Sequence, residues 1–370
     1  MKKGGYKLAE TGVLSSVDVA NMLNDWYVMM KKREIQGAIK LKEEILQAFD
    51  RMEENQDVLL YYQLLEYRFK DLIEDTASLD HSLFVDENAI RTDDMLSYYF
   101  YFFKGMYEMR RGNQDTAFHL LKLAEDKLDL VHDDIEKAEF YYKTGCLYYN
   151  IRSTLLSIHH LKMASSIYDA DPCYVKKSIS CQMMLALNYA DQSKYDEAES
   201  LFKKVIHSLE QMEDPDLLGH AYCNAAFIKS LRNEYNEAVP LLEKALLIET
   251  FETSSPGGYL LAMYAYTKAL FKLKKPDLFH YYVQLSLQKA ENLKQRNISL
   301  KLSILETLML QQDNMIEQIK SYCNQLETMN FLVDLEAICQ DAAAYLTDLG
   351  LHEESTYFSN KALSLKTDME

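Results

Sequence analysis

The chain has 370 residues with only 11 Gly and 5 Pro, and its formal net charge is −17. The scarcity of helix breakers, and the lack of alternating apolar segments bounded by turn signals, favour an all-α fold. The densest basic cluster is Lys31-Lys32-Arg33, which is too small for a duplex-binding surface, so we expect no direct nucleic-acid binding. No apolar run is long enough to span a bilayer, so we expect no membrane insertion.

The six cysteines form no CxxC pair, which is typical of a protein from a reducing compartment. No apolar stretch follows the first residues, so the sequence predicts no signal peptide and a cytoplasmic location. The nine histidines show no metal-ligand spacing. We therefore expect neither a metal nor a cofactor of the chain's own.

Residues 1–12 are predicted to be an N-terminal tail, and residues 13–75 a bundle of three amphipathic helices. Apolar side chains recur at helical spacing in each of the three segments. The stripes are Val19, Met22, Leu23, Trp26 and Met30 in the first segment, Ala38 to Met52 in the second, and Val58 to Leu72 in the third. Core packing is the default role of these stripes.

The second and third helices are joined by a polar segment that ends in Asn55, Gln56 and Asp57. Asn55 suits the N-cap of the third helix, and Gln56 and Asp57 fall in its first turn. On local physics alone, these residues only cap a helix and complement its dipole.

Residues 76–95 are polar and without a clear period, and they are predicted to be a linker. A repeat of about forty residues then occupies 96–370. Small residues mark its register, 40, 41, 40 and 41 residues apart, at Gly105, Gly145, Ala186, Ala226 and Thr267. A second small residue comes twelve positions after the first four, at Ala117, Ser157, Ala198 and Ala238. This pattern predicts a tetratricopeptide solenoid of about seven helix pairs, with a concave groove for a partner.

Four segments point to a known family. They include Leu23-Asn24-Asp25-Trp26-Tyr27, Leu59-Leu60-Tyr61-Tyr62, Phe102 to Glu108 and Asp134 to Phe140. In their order and spacing they resemble the Rap family of Bacillus, the response regulator aspartate phosphatases controlled by Phr peptides. The resemblance covers bundle, linker and array, and implies that the bundle acts on a target while the array binds a short regulatory peptide.

The resemblance implies a catalytic role for Gln56, with Asn55, Asp57, Asp133 and Glu136 in contact with the target. A neutral amide can orient a water molecule for in-line attack without adding charge beside the phosphoryl oxygens. The partner would supply both the phospho-aspartate and its Mg²⁺ ion. From local physics, Asp133 and Glu136 are equally well explained as the acidic first turn of a helix.

The resemblance also implies a peptide site at Tyr149, Asn188, Asp191 and Asn224. A groove asparagine can donate to and accept from a peptide backbone, and Asp191 can pair with a peptide arginine or lysine. The alternatives are a core amide for the asparagines, a helix-end interaction for Asp191 and core packing for Tyr149.

Two functions follow from the resemblance. The first is hydrolysis of the aspartyl phosphate of a response regulator of the sporulation phosphorelay, inhibited by a Phr peptide. The alternative is sequestration, without catalysis, of a transcription factor's DNA-binding domain. A peptide-responsive transcription factor ranks behind both, because Glu53-Glu54 make the bundle joint acidic. We expect a monomer or weak dimer whose bundle stands away from the array when active and packs onto it when peptide binds.

Overall fold

The computed structural model describes residues 14–73, 94–212 and 214–369, and these residues are almost entirely helical. Among them, the one β-type contact is an isolated bridge between Leu14 and Met52. The prediction of an all-α fold is therefore confirmed. In the same described ranges, no helix combines the length and the apolarity that crossing a membrane would require.

The N-terminal bundle consists of α1 (Ser16–Lys32), α2 (Ile35–Phe49) and α3 (Gln56–Leu72). Ser15 caps α1, because its side chain accepts a hydrogen bond from the Asp18 amide. Trp26 is fully buried at the centre of the bundle, with ring centroids 5.8 Å from Tyr62 and 5.4 Å from Phe69. The predicted apolar stripes are thus the faces on which the three helices pack.

Fourteen long helices follow among the described residues, the number expected for seven repeats of two helices, with one short additional helix, α12. In chain order, each first helix and its successor are α4 (Asp94–Arg110) and α5 (Gln114–Glu125), α6 (Asp134–Asn150) and α7 (Thr154–Tyr168), α8 (Val175–Asp191) and α9 (Tyr195–Met212), α10 (Pro215–Leu231) and α11 (Tyr235–Leu246), α13 (Pro256–Lys272) and α14 (Pro276–Asn292), α15 (Arg296–Leu310) and α16 (Met315–Thr328), and α17 (Leu332–Asp348) and α18 (His352–Met369). The short helix α12 spans Phe251–Ser254.

The small residues of the repeat lie where the two helices of a pair touch. A Cβ atom added at Gly145 would stand 2.9 Å from Cγ of Leu161, and one at Gly105 would stand 3.0 Å from Leu121. Ala186 and Ala226 are fully buried at the same register. The forty-residue spacing therefore records close helix–helix contact, which larger side chains would prevent.

The turn inside each early pair has a fixed form. Its central residue has a positive φ in five successive pairs, at Gly112, Arg152, Ser193, Asn233 and Lys274, with φ between 53° and 82°. The connections from one pair to the next are less uniform. Two contain a short 3₁₀ turn, at Leu128–Leu130 and Pro172–Tyr174, and another contains α12.

The chain divides into two compact units, Met1–Asn188 and Tyr189–Glu370. The first contains the bundle together with the first repeats, so bundle and early array share one core. The predicted linker, 76–95, lies for the most part outside the described residues, and the predicted tail, 1–12, lies wholly outside them.

Candidate functional site

Gln56 is the first residue of α3, and the loop before it is fastened to the start of α1. The Leu14 amide donates to the Arg51 carbonyl at 2.7 Å, and the Glu53 carboxylate accepts from the Ser16 amide at 3.1 Å and from Ser16 Oγ at 2.9 Å. These hydrogen bonds, the backbone one foremost, lower the pKa of Glu53. The position of Gln56 is thus set by two helices rather than by a free loop.

Asn55 is the N-cap of α3, as predicted from its residue type. Its Oδ1 accepts from the amides of Asp57 at 3.1 Å and Val58 at 3.2 Å. Gln56 and Asp57 are both exposed. The Gln56 Nε2 lies 3.4 Å from Glu54 Oε1, whereas Gln56 Oε1 accepts no hydrogen bond from the described residues. An exposed carbonyl oxygen of this kind can accept a proton of a water molecule.

Asp133 and Glu136 lie at the start of α6, and both contact the bundle. Asp133 is the N-cap of α6, accepts from the Ile135 amide at 2.9 Å, and lies 2.6 Å from Lys31 Nζ with its side chain 51% exposed. Glu136 is fully buried and is held by Tyr27 Oη at 3.0 Å, Tyr98 Oη at 3.1 Å and Lys31 Nζ at 3.4 Å.

Burial raises the pKa of Glu136, although Lys31 opposes the shift. A partner cannot reach Glu136 in this conformation. A target contact through Glu136 stays a prediction, and it requires the bundle to leave α6.

A second buried network joins α3 to α6 and α8. Glu139 accepts from Arg68 at 2.9 Å, from Lys177 at 2.7 Å and from Tyr168 Oη at 2.9 Å. Burial alone would raise the pKa of Glu139, but Lys177 and Arg68 outweigh it and hold that pKa well below its usual range. Arg68 and Arg110 share the carboxylate of Asp71, at 2.8 Å and 2.5 Å. The members of this network are far apart along the chain, so no spacing in the sequence indicates it.

Asn188, predicted to clamp a peptide, is an interior residue of the first unit. Its Nδ2 donates to Ser157 Oγ and to the Met184 carbonyl, both at 2.9 Å, and the side chain is fully buried. Ser157 in turn donates to the Gly145 carbonyl at 2.8 Å. In this conformation the Asn188 amide links α8 to α7, while its buried Oδ1 has no hydrogen-bond partner among the described residues, so its role in peptide binding stays a prediction. Ser157 places a hydroxyl where three other repeats carry alanine, and this difference in the sequence indicates a polar contact at that position.

The other predicted peptide residues are reachable. Tyr149 is half-buried in the first unit; in the second unit, Asp191 is exposed and Asn224 half-buried. Their role in peptide binding stays a prediction. The described residues contain no group of three or more His, Cys, Asp or Glu side chains that could hold a metal ion.

Comparison with known proteins shows which protein family this chain belongs to. The N-terminal family model described as response regulator aspartate phosphatase H, N terminal, matches residues 13–74, and a tetratricopeptide repeat model matches residues 178–216. Regulatory protein RapD of Bacillus subtilis is 36% identical over 340 residues, which are 91% of this chain and 96% of RapD. Regulatory protein RapK of the same organism is 34% identical, over 94% of this chain and 95% of RapK.

Solved structures agree. A Rap protein complexed with competence and sporulation factor superposes with a TM-score of 0.86 at 28% identity, covering 95% of this chain and 98% of the other. The apo form of RapI superposes with a TM-score of 0.65 at 29% identity, over 95% and 98% of the two chains. The bundle, the repeats and the full-length similarity to RapD together show that this chain belongs to the Rap family of Bacillus regulators.

Proposed function

We propose that this chain promotes hydrolysis of the aspartyl phosphate of a response regulator, with Gln56 as the residue that orients the attacking water. The observation that carries the proposal is the placement of Gln56. It is exposed at the start of α3, on a loop fastened to α1, with a carbonyl oxygen that accepts no hydrogen bond from the described residues. Response regulator aspartate phosphatase I of Bacillus subtilis is 30% identical over 90% of this chain.

The proposed hydrolysis requires few catalytic groups from this chain. An acyl phosphate is already activated, and the partner would bring it together with its own Mg²⁺ ion, which neutralises phosphoryl charge. Gln56 would accept one water proton through its carbonyl oxygen and hold that water in line with the phosphorus–oxygen bond. As a neutral group it adds no charge beside the phosphoryl oxygens. Asn55 supports it by fixing the first turn of α3.

We propose further that a short peptide in the array inhibits the protein by favouring the docked bundle. In the first unit, Glu136 and Glu139 of α6 bind Lys31, Tyr27 and Arg68 of the bundle. One structural neighbour, at 28% identity, is a Rap protein complexed with competence and sporulation factor. These facts support reading the described conformation as the inhibited one, in which Glu136 is closed to a target.

The test is the rate of phosphate loss from purified response regulators of the sporulation phosphorelay, labelled at the aspartyl phosphate. We expect Gln56→Ala to slow the protein-dependent rate by about 100-fold, the lower range for a single positioned catalytic group. Gln63→Ala is the matched control, because Gln63 is an exposed glutamine on the same helix. Equal rates for wild type and Gln56→Ala would refute the catalytic role.

A second candidate is sequestration of a transcription factor's DNA-binding domain without catalysis. The observation in its favour is that RapD and RapK, at 36% and 34% identity, are named regulatory proteins, whereas phosphatases I and E are 30% and 32% identical. This candidate predicts tight binding to a DNA-binding domain in a pulldown, with no phosphate release from any phosphorylated regulator by wild type.

A further inference from the structure

The helix α6 has two faces with different neighbours. One face packs on α7: Gly145 meets Leu161, and the Tyr148 ring centroid lies 5.0 Å from that of His160. Glu139 and Lys143, one turn apart, lie on another face. There Glu139 meets Arg68 of α3 and Lys177 of α8. This second face of α6 therefore gathers charged side chains from three helices.

The charges on this face do not balance. Two carboxylates, Asp71 and Glu139, are shared by three cations, Arg68, Arg110 and Lys177. Lys143 is a fourth cation within electrostatic range of Arg68, Asp71 and Glu139. Its ammonium makes no ion pair or hydrogen bond with the described residues, and Nζ lies 5.7 Å from the centroid of the Tyr142 ring. With all groups ionised, the cluster carries two excess positive charges.

Arg68 adds to this cluster a hydrogen-bond donor without a partner in the described part of the chain. Arg68 is 3% exposed, and its Nε has no hydrogen-bond partner within the described residues. An unpaired charge or donor in a poorly solvated site is costly, so such a site favours an anion that supplies the missing acceptor. Burial, then Arg68, lower the pKa of Lys143, which is the response expected where a counter-charge is missing. Lys143 remains partly exposed, so a ligand can reach it.

We propose that Lys143, backed by Arg68 and Lys177, is a binding site for a carboxylate of a peptide lying along this face of α6. The inference rests on the proposed peptide regulation of the array and goes beyond it, because it assigns a charge requirement to the ligand. The carboxylate belongs either to the peptide's C-terminus or to an acidic side chain. A charge-assisted hydrogen bond in a partly buried site accounts for about tenfold to 100-fold in affinity.

The test uses randomised pentapeptide pools on immobilised full-length protein, with retained peptides quantified by mass spectrometry. One pool has free C-termini, a second is amidated, and a third is amidated and lacks Asp and Glu. Lys143→Met removes the charge at similar length, and Lys143→Arg keeps it. Lys162→Met, on an exposed position of α7, makes the same charge change elsewhere. Circular dichroism and the thermal midpoint establish that each variant is folded.

We expect wild type, Lys143→Arg and Lys162→Met to retain carboxylate-bearing peptides at least tenfold better than the third pool, and Lys143→Met to lose that preference. Retention of the free-acid pool alone identifies the C-terminus as the source, and retention of both the first and second pools identifies an acidic side chain. Equal retention of all three pools, or an unchanged preference in Lys143→Met, overturns the inference and leaves the peptide-regulation proposal intact. No retention from any pool overturns both.

Discussion

The substitution Glu139→Gln probes the network that joins the bundle to the array. It removes one charge from a side chain that is 1% exposed, and it leaves Arg68 and Lys177 without their shared carboxylate. Each of these two charged hydrogen bonds, at 2.9 Å and 2.7 Å, is worth about 1.5–3 kcal/mol. Breaking a buried ion pair from one side costs about 3–5 kcal/mol, in agreement with that sum.

Urea unfolding monitored by tryptophan fluorescence measures this loss. The chain has a single tryptophan, Trp26, which is fully buried in the bundle, so its emission reports on the element that the network holds. With a urea dependence of about 2–3 kcal/mol per molar, the midpoint should fall by about 1–2 M.

Glu125→Gln is the matched control. Its carboxylate forms an exposed pair with Lys122 within one helix, and such pairs contribute about 0.3–0.5 kcal/mol. The precision of a urea midpoint is about 0.2 M. If the midpoint of Glu139→Gln lies within about 0.2 M of the midpoint of Glu125→Gln, the argument that the network stabilises the docked bundle is refuted.

Three further predictions concern stability. Asn55→Ala should destabilise the bundle by about 1 kcal/mol in the same urea assay, with Asn55→Asp restoring it, because the cap of α3 is lost and regained. Gly145→Ala should lower the thermal midpoint by the equivalent of about 1–3 kcal/mol, because the new methyl group meets Leu161. Gly37→Ala should be neutral or stabilising, because its new methyl group would lie 3.3 Å from the sulfur of Met29, whose side chain is flexible. The pKa of Glu139 is lowered in the folded protein, so its contribution is complete above the ordinary glutamate pKa of 4.5 and is lost as the pH falls below it. The gap between the urea midpoints of wild type and Glu139→Gln should therefore narrow steadily as the pH falls from about 5 to about 3, without closing there, and a constant gap would contradict the assignment.

The repeat could be predicted from the sequence because its physical cause is local and periodic. Gly105 and Gly145 recur at the point where the two helices of a pair touch, and the same requirement returns forty residues later. The Asn55 cap was equally predictable, since the side chain acts on amides two and three residues away. Both features depend on neighbours close in sequence or on a repeating contact.

The docking of the bundle could not be predicted in this way. The hydrogen bond from Tyr27 to Glu136 joins residues 109 positions apart, and the one from Arg68 to Glu139 joins residues 71 apart. Neither contact is repeated along the chain, so neither produces a periodic pattern in the sequence. Glu136 therefore looked like an accessible acidic residue in a first helical turn, although the bundle buries it. The hydrogen bond between Asn188 and Ser157 could not be predicted for a related reason, since only the fold shows that Ser157 stands opposite the Asn188 amide.

The turns inside the helix pairs are alike, whereas the connections between pairs differ in length and structure. This difference indicates where the sequences of related chains can change in length. Within a pair, a residue with left-handed backbone conformation, such as Arg152 or Asn233, closes the turn. A change in the length of that turn would disrupt the contact between the two helices. Between pairs, connections already differ, from a 3₁₀ turn at Pro172–Tyr174 to the whole of α12. Insertions and deletions can accumulate at these connections alone. Each would reorient the next pair, so the ligand preference of a relative can change through connector length while every ligand-facing side chain stays the same.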